Sequence, residues 1–396
     1  MSRTLYRNAA LTDARSDRLE RSISILVEDG RIRWIRPSDA EEDAGDLATL
    51  ELVDGAGATI VPGMVDAHSH LTGPGGPDWI ARFADPPERL LAVADHNGRL
   101  MSGAGIRWAR DVGAPTRVDP VDGSERALSL GIRERWQGRR EMPYVRAAGT
   151  WVTRAGGLPS GLTVEASNGD ELLALALRQI EDGADFVKLY LDRPDPEWSV
   201  AEVRRVVEAV HARDRKVTAH ATRLAGTRVC AEAGVDSVEH GFEIDASLAR
   251  LMADRAVVLV STLTVFQSWI TFARTTTHPR FGPETVATNQ ARLEEASASV
   301  AAARAAGVVI CAGTDFGGGS PRANQLAWEV ESLVAAGLEP WEALAAATWR
   351  AGELLGEPEA GVIREEGPAD FFLVHGDPLS DPAALWRVWR TAYPLN

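Results

Sequence analysis

The sequence is poor in the features that mark secreted, membrane-spanning or nucleic-acid-binding chains. It holds two cysteines, Cys230 and Cys311, in 396 residues. Two thiols cannot build a disulfide framework, which fits a reducing compartment and an expected cytoplasmic location. Both are expected as small buried apolar residues. No run approaches the roughly 18 apolar residues of a membrane span. The opening stretch, MSRTLYRNAALTDARSD, lacks an apolar h-region, so no signal peptide is expected in it. Positive charge is outnumbered: 42 Lys and Arg against 57 Asp and Glu leave a net charge of −15. Nucleic acid and anionic membrane surfaces both repel such a chain. A small molecule is the expected partner, and a homo-oligomer the expected assembly.

What is present is ordinary globular composition, 45% apolar and 25% charged. The length suggests one large domain and a smaller one. Short runs rich in Val, Ile and aromatics recur, each followed by Gly, Pro, Asp or His and then a helical pattern. Eight are legible: Met64–His70, Ile106–Gly113, Tyr144–Val152, Phe186–Leu191, Val217–Ala221, Ser237–Gly241, Val257–Thr264 and Val308–Asp315. Helices are predicted over Glu171–Asp182, Ser199–Ala212, Leu224–Ala233, Ala246–Asp254, Glu284–Ala306 and Pro340–Leu355. Ser199 with Glu202 reads as a capping box. Eightfold strand–helix alternation predicts an α/β fold, a (β/α)8 TIM barrel over residues 61–361. The ends break the pattern. SISILVEDGRIRWI has a hairpin signal at Asp29-Gly30, and VIREEGPADFFLVHGDPL reads strand, turn, strand. Residues 1–60 and 362–396 are therefore expected to form one small β-sandwich domain from both termini.

In a strand, residues two apart share a face. His68 and His70 in IVPGMVDAHSHLTG thus point the same way, just before a Gly- and Pro-rich loop. In a closed barrel that place is the C-terminal mouth, where active sites of this architecture sit. Other strand ends carry Lys188 (FVKLYL), His220 (VTAHAT), His240 (SVEHGF) and Asp315 (CAGTDFGG). A lone histidine on an apolar strand is usually a core residue. Four at strand ends, joined by an Asp and a Lys in an apolar run, point to a metal site. Nitrogen and oxygen donors without thiolate suit Zn, with Mn, Fe, Co or Ni as alternatives. Lys188 is costly to bury unless paired or modified. An ammonium has no lone pair for a metal. Lys188 either is carboxylated to N6-carboxylysine, whose two oxygens can bridge cations, or lines the pocket as a plain lysine. Its expected place across the barrel from His68 and His70 favours the carbamate.

VPGMVDAHSHL, RDVG (Arg110–Gly113), VEHG (Val238–Gly241), AGTD (Ala312–Asp315), EALAAAT (Glu342–Thr348) and ADFFLVHGDPL (Ala369–Leu379) resemble the amidohydrolase superfamily, in its imidazolonepropionase-like and Xaa-Pro-dipeptidase-like branches. The resemblance runs over nearly the whole chain in the expected order. It implies a (β/α)8 barrel with a small β-sandwich, and a binuclear site. One metal would take His68, His70, Lys188 and Asp315, the other Lys188, His220 and His240. Two departures narrow the activity. Deaminase branches carry H-x-x-E after strand five, whereas this chain has Arg223 in HATR. Imidazolonepropionase itself lacks the strand-four lysine. A third concerns the end of the chain: WRVWRTAYPLN shows no further strand, where relatives usually have one.

Asp315 is the expected catalytic residue, a general base toward a metal-acidified water and then a general acid toward the leaving group. The expected reaction is hydrolysis of an amide-type C–N bond in a dipeptide, N-acyl amino acid or cyclic amide. The alternatives are a carboxylic ester, lactone or phosphoester at the same site, or a non-catalytic binding scaffold. Tyr190 shares the parity of Lys188 and is a candidate substrate contact. Arg154, in TRAGGLPSG, is a candidate carboxylate anchor. The aromatic connector VFQSWITFARTTTHPRFG offers Phe266, Trp269 and His278 against an apolar substrate, or as a subunit contact.

Overall fold

The computed structural model describes residues 2–41, 50–158, 162–192 and 198–394. Five strands come first: β1 (Arg3–Leu11), β2 (Glu20–Glu28), β3 (Arg31–Pro37), β4 (Glu51–Asp54) and β5 (Ala58–Pro62). Next come β6 (Met64–Ser69), α1 (Trp79–Arg82), α2 (Pro87–Gly103), β7 (Ile106–Asp111), a hairpin of β8 (Thr116–Val118) and β9 (Glu125–Ala127), and α3 (Leu128–Trp136). The middle of the chain runs β10 (Tyr144–Ala147), β11 (Val152–Arg154), β12 (Val164–Ala166), α4 (Gly169–Glu181), β13 (Phe186–Tyr190), α5 (Val200–His211), β14 (Lys216–Ala221) and α6 (Leu224–Ala233). Then follow β15 (Ser237–His240), α7 (Ala246–Asp254), β16 (Val258–Ser261), α8 (Thr264–Thr275), α9 (Pro283–Ala305) and β17 (Ile310–Ala312). The chain closes with α10 (Leu326–Ala335), α11 (Pro340–Ala346), α12 (Trp349–Leu355), β18 (Phe371–His375) and β19 (Val388–Thr391).

The core of the fold is α/β with parallel strands. β6, β7 and β10 pair in parallel, and β13 to β17 do so in sequence order. Each of the eight expected runs holds one of these strands. The two parallel sheets also meet at both edges, where Ala148 bridges Phe186 and Ser69 bridges Phe316. β6 and β13 are buried at every position, as strands covered on both faces must be. The helices cover them with apolar stripes: α5 buries Val203, Val206, Val207 and Val210 at helical spacing. Its Ser199–Glu202 capping box is present. No helix among the described residues is long and apolar enough to cross a membrane.

Three expectations change in detail. The run Tyr144–Val152 is two strands, because the chain turns between β10 and β11 to give the Thr150 amide to Gln179. The helix expected over Pro340–Leu355 breaks into α11 and α12 at Ala347 and Thr348. That break frees the Ala347 carbonyl, which accepts from the Val65 amide of β6. The end of the chain does form a strand. β19 pairs antiparallel with β18, so the expectation that WRVWRTAYPLN adds none is corrected. Four residues are too few to show alternation, and it is their pairing with β18 that defines them.

Both ends of the chain join in one sheet, ordered β19-β18-β5-β1-β2-β3, with β4 beside β1. β18 lies antiparallel to β5, from Phe371 opposite Pro62 to His375 opposite Ala58. Its core packs Tyr6, Ile25, Ile32, Ile60, Phe371 and Leu373 together. A buried ion pair, Arg107 Nε to Asp370 at 3.0 Å, ties this sheet to β7.

Candidate metal centre

The C-terminal ends of β6, β13, β14 and β15, with the loop after β17, converge on one place. His68 and His70 leave β6 on the same face, as their spacing requires. The Nε2 atoms of both lie 3.3 Å from Asp315 Oδ1. One donor atom from each of the three residues lies within 4.8 Å of the others. The His240 ring stands 4.7 Å from His68 and 4.5 Å from His220, centroid to centroid. Lys188 is buried on β13. Burial lowers its amine to about 8, opposed by the charges of Glu239 and Asp315.

Backbone geometry decides two of these positions. Strict alternation would turn His240 away from Ser237 and Glu239, which face Arg110 and Thr218. His240 instead adopts φ +78°, a left-handed conformation rare for a side chain with Cβ, and its ring meets His68 and His220. Asp315 has φ +52°. Such residues cost about 1 to 3 kcal/mol each and gather at functional sites. The loop after Asp315 passes close over the site. A Cβ at Gly318 would lie 2.2 Å from His70 Cδ2 and 2.3 Å from Asp315 Oδ1, so no side chain fits there.

The partners of the histidines show which nitrogens are engaged away from the centre. His68 Nδ1 donates to Glu239 Oε2 at 2.6 Å, and His70 Nδ1 donates to the Gly113 carbonyl at 2.8 Å. Both rings therefore turn their other nitrogen, Nε2, toward Asp315. His220 is held the other way, with Nε2 donating to Asp192 Oδ2 at 3.0 Å, which leaves Nδ1 bare. His240 Nδ1 lies 2.8 Å from Thr262 Oγ1. Outer partners that fix the imidazole tautomer are the usual supports of metal ligands. The donors suit a divalent cation of the zinc type: nitrogen and oxygen, without sulfur. Burial, with His220 and His68 nearby, holds His240 well below the usual histidine range, hence neutral. Burial would raise the Asp315 carboxyl, but the His68 and His70 rings beside it hold it well below the usual carboxylate range.

A cavity of about 360 Å³ opens beside these residues. Tyr190, His220, His240 and Asp315 line it on one side, and Trp79, Phe242, Phe266 and Trp269, with Val265, form a largely aromatic wall. Arg223, Glu243, Arg292 and Glu295 stand at its exposed rim. Tyr190 stacks on the His220 ring at 4.3 Å. Phe266 and Trp269 face the cavity from α8, the connector expected to meet substrate. Arg154 and His278 lie outside this lining. The Arg154 guanidinium sits 4.8 Å over the Trp198 ring. His278 Nε2 lies 3.1 Å from Asp78 Oδ1, which ties the loop after α8 to the loop before α1. Two further cavities, of about 370 and 610 Å³, open at the opposite ends of the strands around Arg146, Asp185 and Arg215. None of the predicted site residues lines them.

Several residues of the site were not singled out in the sequence. Glu239 and Arg110 lay inside VEHG and RDVG but were given no role. Asp192, two residues beyond Tyr190, takes its place from contact with His220 and Thr222. Asp66 shares the face of His68 and accepts from Thr314, and burial lifts its carboxyl to about 7. Its place on the HxH face of β6 was the available signal.

Known proteins of similar sequence and shape carry hydrolase names. The ochratoxinase of Aspergillus niger is 27% identical over 368 residues, covering 84% of this chain and 74% of that enzyme. The imidazolonepropionase of Saccharopolyspora erythraea is 27% identical over 411 residues, covering 94% of this chain and 90% of its own length. A Xaa-Pro dipeptidase solved with methionine in its active site superposes with a TM-score of 0.82 at 24% identity, over 98% of this chain and 97% of that one. The family model of the amidohydrolases matches residues 59–391, so this chain belongs to the amidohydrolase family and is a metal-dependent hydrolase.

Proposed function

We propose that the protein hydrolyses an amide-type C–N bond in a dipeptide, an N-acyl amino acid or a cyclic amide. The observation that carries this reading is the convergence of the His68 and His70 Nε2 atoms on Asp315 beside an aromatic-walled cavity. The names of a dipeptidase and an imidazolonepropionase among its relatives support a C–N bond. The eight parallel strands close into a (β/α)8 barrel over residues 61–361, supported by the bridges at both sheet edges. Residues 1–60 and 362–396 form the small β-sandwich domain, supported by their shared sheet. A cytoplasmic place fits two buried, unpaired cysteines.

His68, His70, Lys188 and Asp315 would hold one divalent metal, most simply zinc, and Lys188, His220 and His240 a second. Lys188 would serve as N6-carboxylysine, a reading its burial supports. Bound there, such cations supply Lewis acidity to the scissile carbonyl and acidify water. Asp315 takes the proton of the attacking water on its carboxylate and returns it to the leaving amine. Tyr190, lining the cavity, orients the substrate. Phe266 and Trp269 hold its apolar part and exclude water.

The test loads the protein with Zn2+, measures metal content by mass spectrometry, and assays dipeptide and N-acyl amino acid libraries beside an ester and lactone library. Amide turnover with two equivalents of metal is expected. Ester turnover alone would favour the alternative bond, and one equivalent would remove the second metal. Neither metal nor turnover would leave a binding scaffold. The chain has only two lysines, Lys188 and Lys216, so a bicarbonate-dependent carboxylation has few addresses to resolve.

A further inference from the structure

Two charged residues among the strands, Arg110 and Glu239, take no part in the chemistry above. Glu239 is 0% exposed. Its Oε2 accepts from His68 Nδ1 at 2.6 Å. Its Oε1 accepts from Arg110 Nη1 at 2.7 Å, from Ser237 Oγ at 3.3 Å and from Thr218 Oγ1. Four donors from β6, β7, β14 and β15 thus close on one carboxylate. Arg110 in turn donates Nη2 to Ser237 Oγ at 3.1 Å and Nη1 to the Ala67 carbonyl at 3.2 Å, and lies over the Phe186 ring. Buried ion pairs are poor sources of stability, since apolar residues of the same volume do as well or better. A pair kept at this depth, with one oxygen spent on a metal-binding imidazole, calls for another purpose.

We propose that Glu239 is a positioning residue of the metal centre, holding the His68 ring with Nε2 toward Asp315, and that Arg110 holds Glu239 in that place. The proposal rests on the metal-centre reading above. One strand end then does two things. Glu239 braces the ligand His68 from below, while the left-handed turn at His240 delivers a second ligand from the next residue.

The test compares full-length wild type and Glu239→Gln as apoproteins, titrated with Zn2+ against a chromophoric chelator. The visible spectrum of each is then recorded with Co2+. Gln keeps the volume but sets an amide N–H2 against His68 or Arg110. A loss of Zn2+ affinity of about 10- to 100-fold, with altered Co2+ bands, is expected. A purely structural role would leave both readouts unmoved, so wild-type affinity and spectrum in folded Glu239→Gln would overturn the proposal alone. A wild type that binds no Zn2+ would overturn the metal-centre reading with it. Should Glu239→Gln not fold, Arg110→Lys gives the same decision. It keeps a cation but cannot span Glu239 and Ser237, so weaker Zn2+ binding supports the proposal and unchanged binding overturns it.

Discussion

Gly313→Ala should damage the candidate metal centre without replacing any of its proposed ligands. Gly313 follows β17, where the chain runs beside His68. Its amide donates to the Ser261 carbonyl at 2.9 Å, and two residues on, the Asp315 amide donates to the His68 carbonyl at 2.8 Å. A Cβ at Gly313 would stand 2.4 Å from His68 Cβ, 2.8 Å from its amide nitrogen and 3.1 Å from its Cα. Real Cβ contacts essentially never fall below 3.0 Å, and most exceed 3.4 Å. The two segments must therefore part by roughly 0.6 to 1 Å in an interior that is close-packed. The obstacle includes backbone, so no rotamer change relieves it. Overpacking of this kind costs about 1 to 3 kcal/mol. Spread over a chain of 396 residues, at about 2.1 cal/mol/K per residue, that is a fall in melting temperature of about 1 to 4 °C. The functional loss should be larger, because a displacement near 1 Å at a reacting site can cost about 100-fold in rate. Calorimetry, Zn2+ titration and turnover on the best amide substrate measure all three. Gly103→Ala is the control. It ends α2 in the open, with nothing within 4 Å of the added Cβ, and should be neutral or slightly stabilising. Wild-type stability and turnover in Gly313→Ala would refute the packing argument.

The other predictions concern the chemistry and the wall of the cavity. Asp315→Asn should keep bound metal, measured by mass spectrometry, yet lower kcat by about 100- to 10,000-fold, the usual worth of a positioned acid–base group. Turnover near wild type would remove Asp315 from that role. Trp269→Ala should raise KM about tenfold or more for substrates with an aromatic group and spare small aliphatic ones, as expected from losing one apolar contact surface. An equal effect on both classes would speak against a specificity wall. Treatment with 1,10-phenanthroline should abolish turnover, and Zn2+ should restore it. Burial pushes the Cys311 thiol up to about 12 and raises Cys230 as well, so neither should react with a thiol reagent at pH 8 until the protein is unfolded.

The sequence by itself determined where the strands lie and which of their ends carry groups able to bind a metal. Period-two alternation put His68 and His70 on one face, and the apolar runs around Lys188, His220 and His240 left few conformations but buried strands. Capping at Ser199 and the extents of α6 and α7 were equally local, and so legible. What the tertiary structure decided is how these ends meet. His240 faces the site only because its backbone turns left-handed at the end of β15, a choice forced by packing rather than by the residue's own preference. The tautomers of His68, His70 and His220 depend on Glu239, the Gly113 carbonyl and Asp192, which lie 171, 43 and 28 positions away. β19 needed β18 to become a strand, and Arg154 and His278 found Trp198 and Asp78 rather than the cavity lining. Hydrophobic periodicity is written residue by residue, so one chain suffices to read it. Which acceptor stands behind an imidazole is set by strands brought together across the fold, and no local pattern records it.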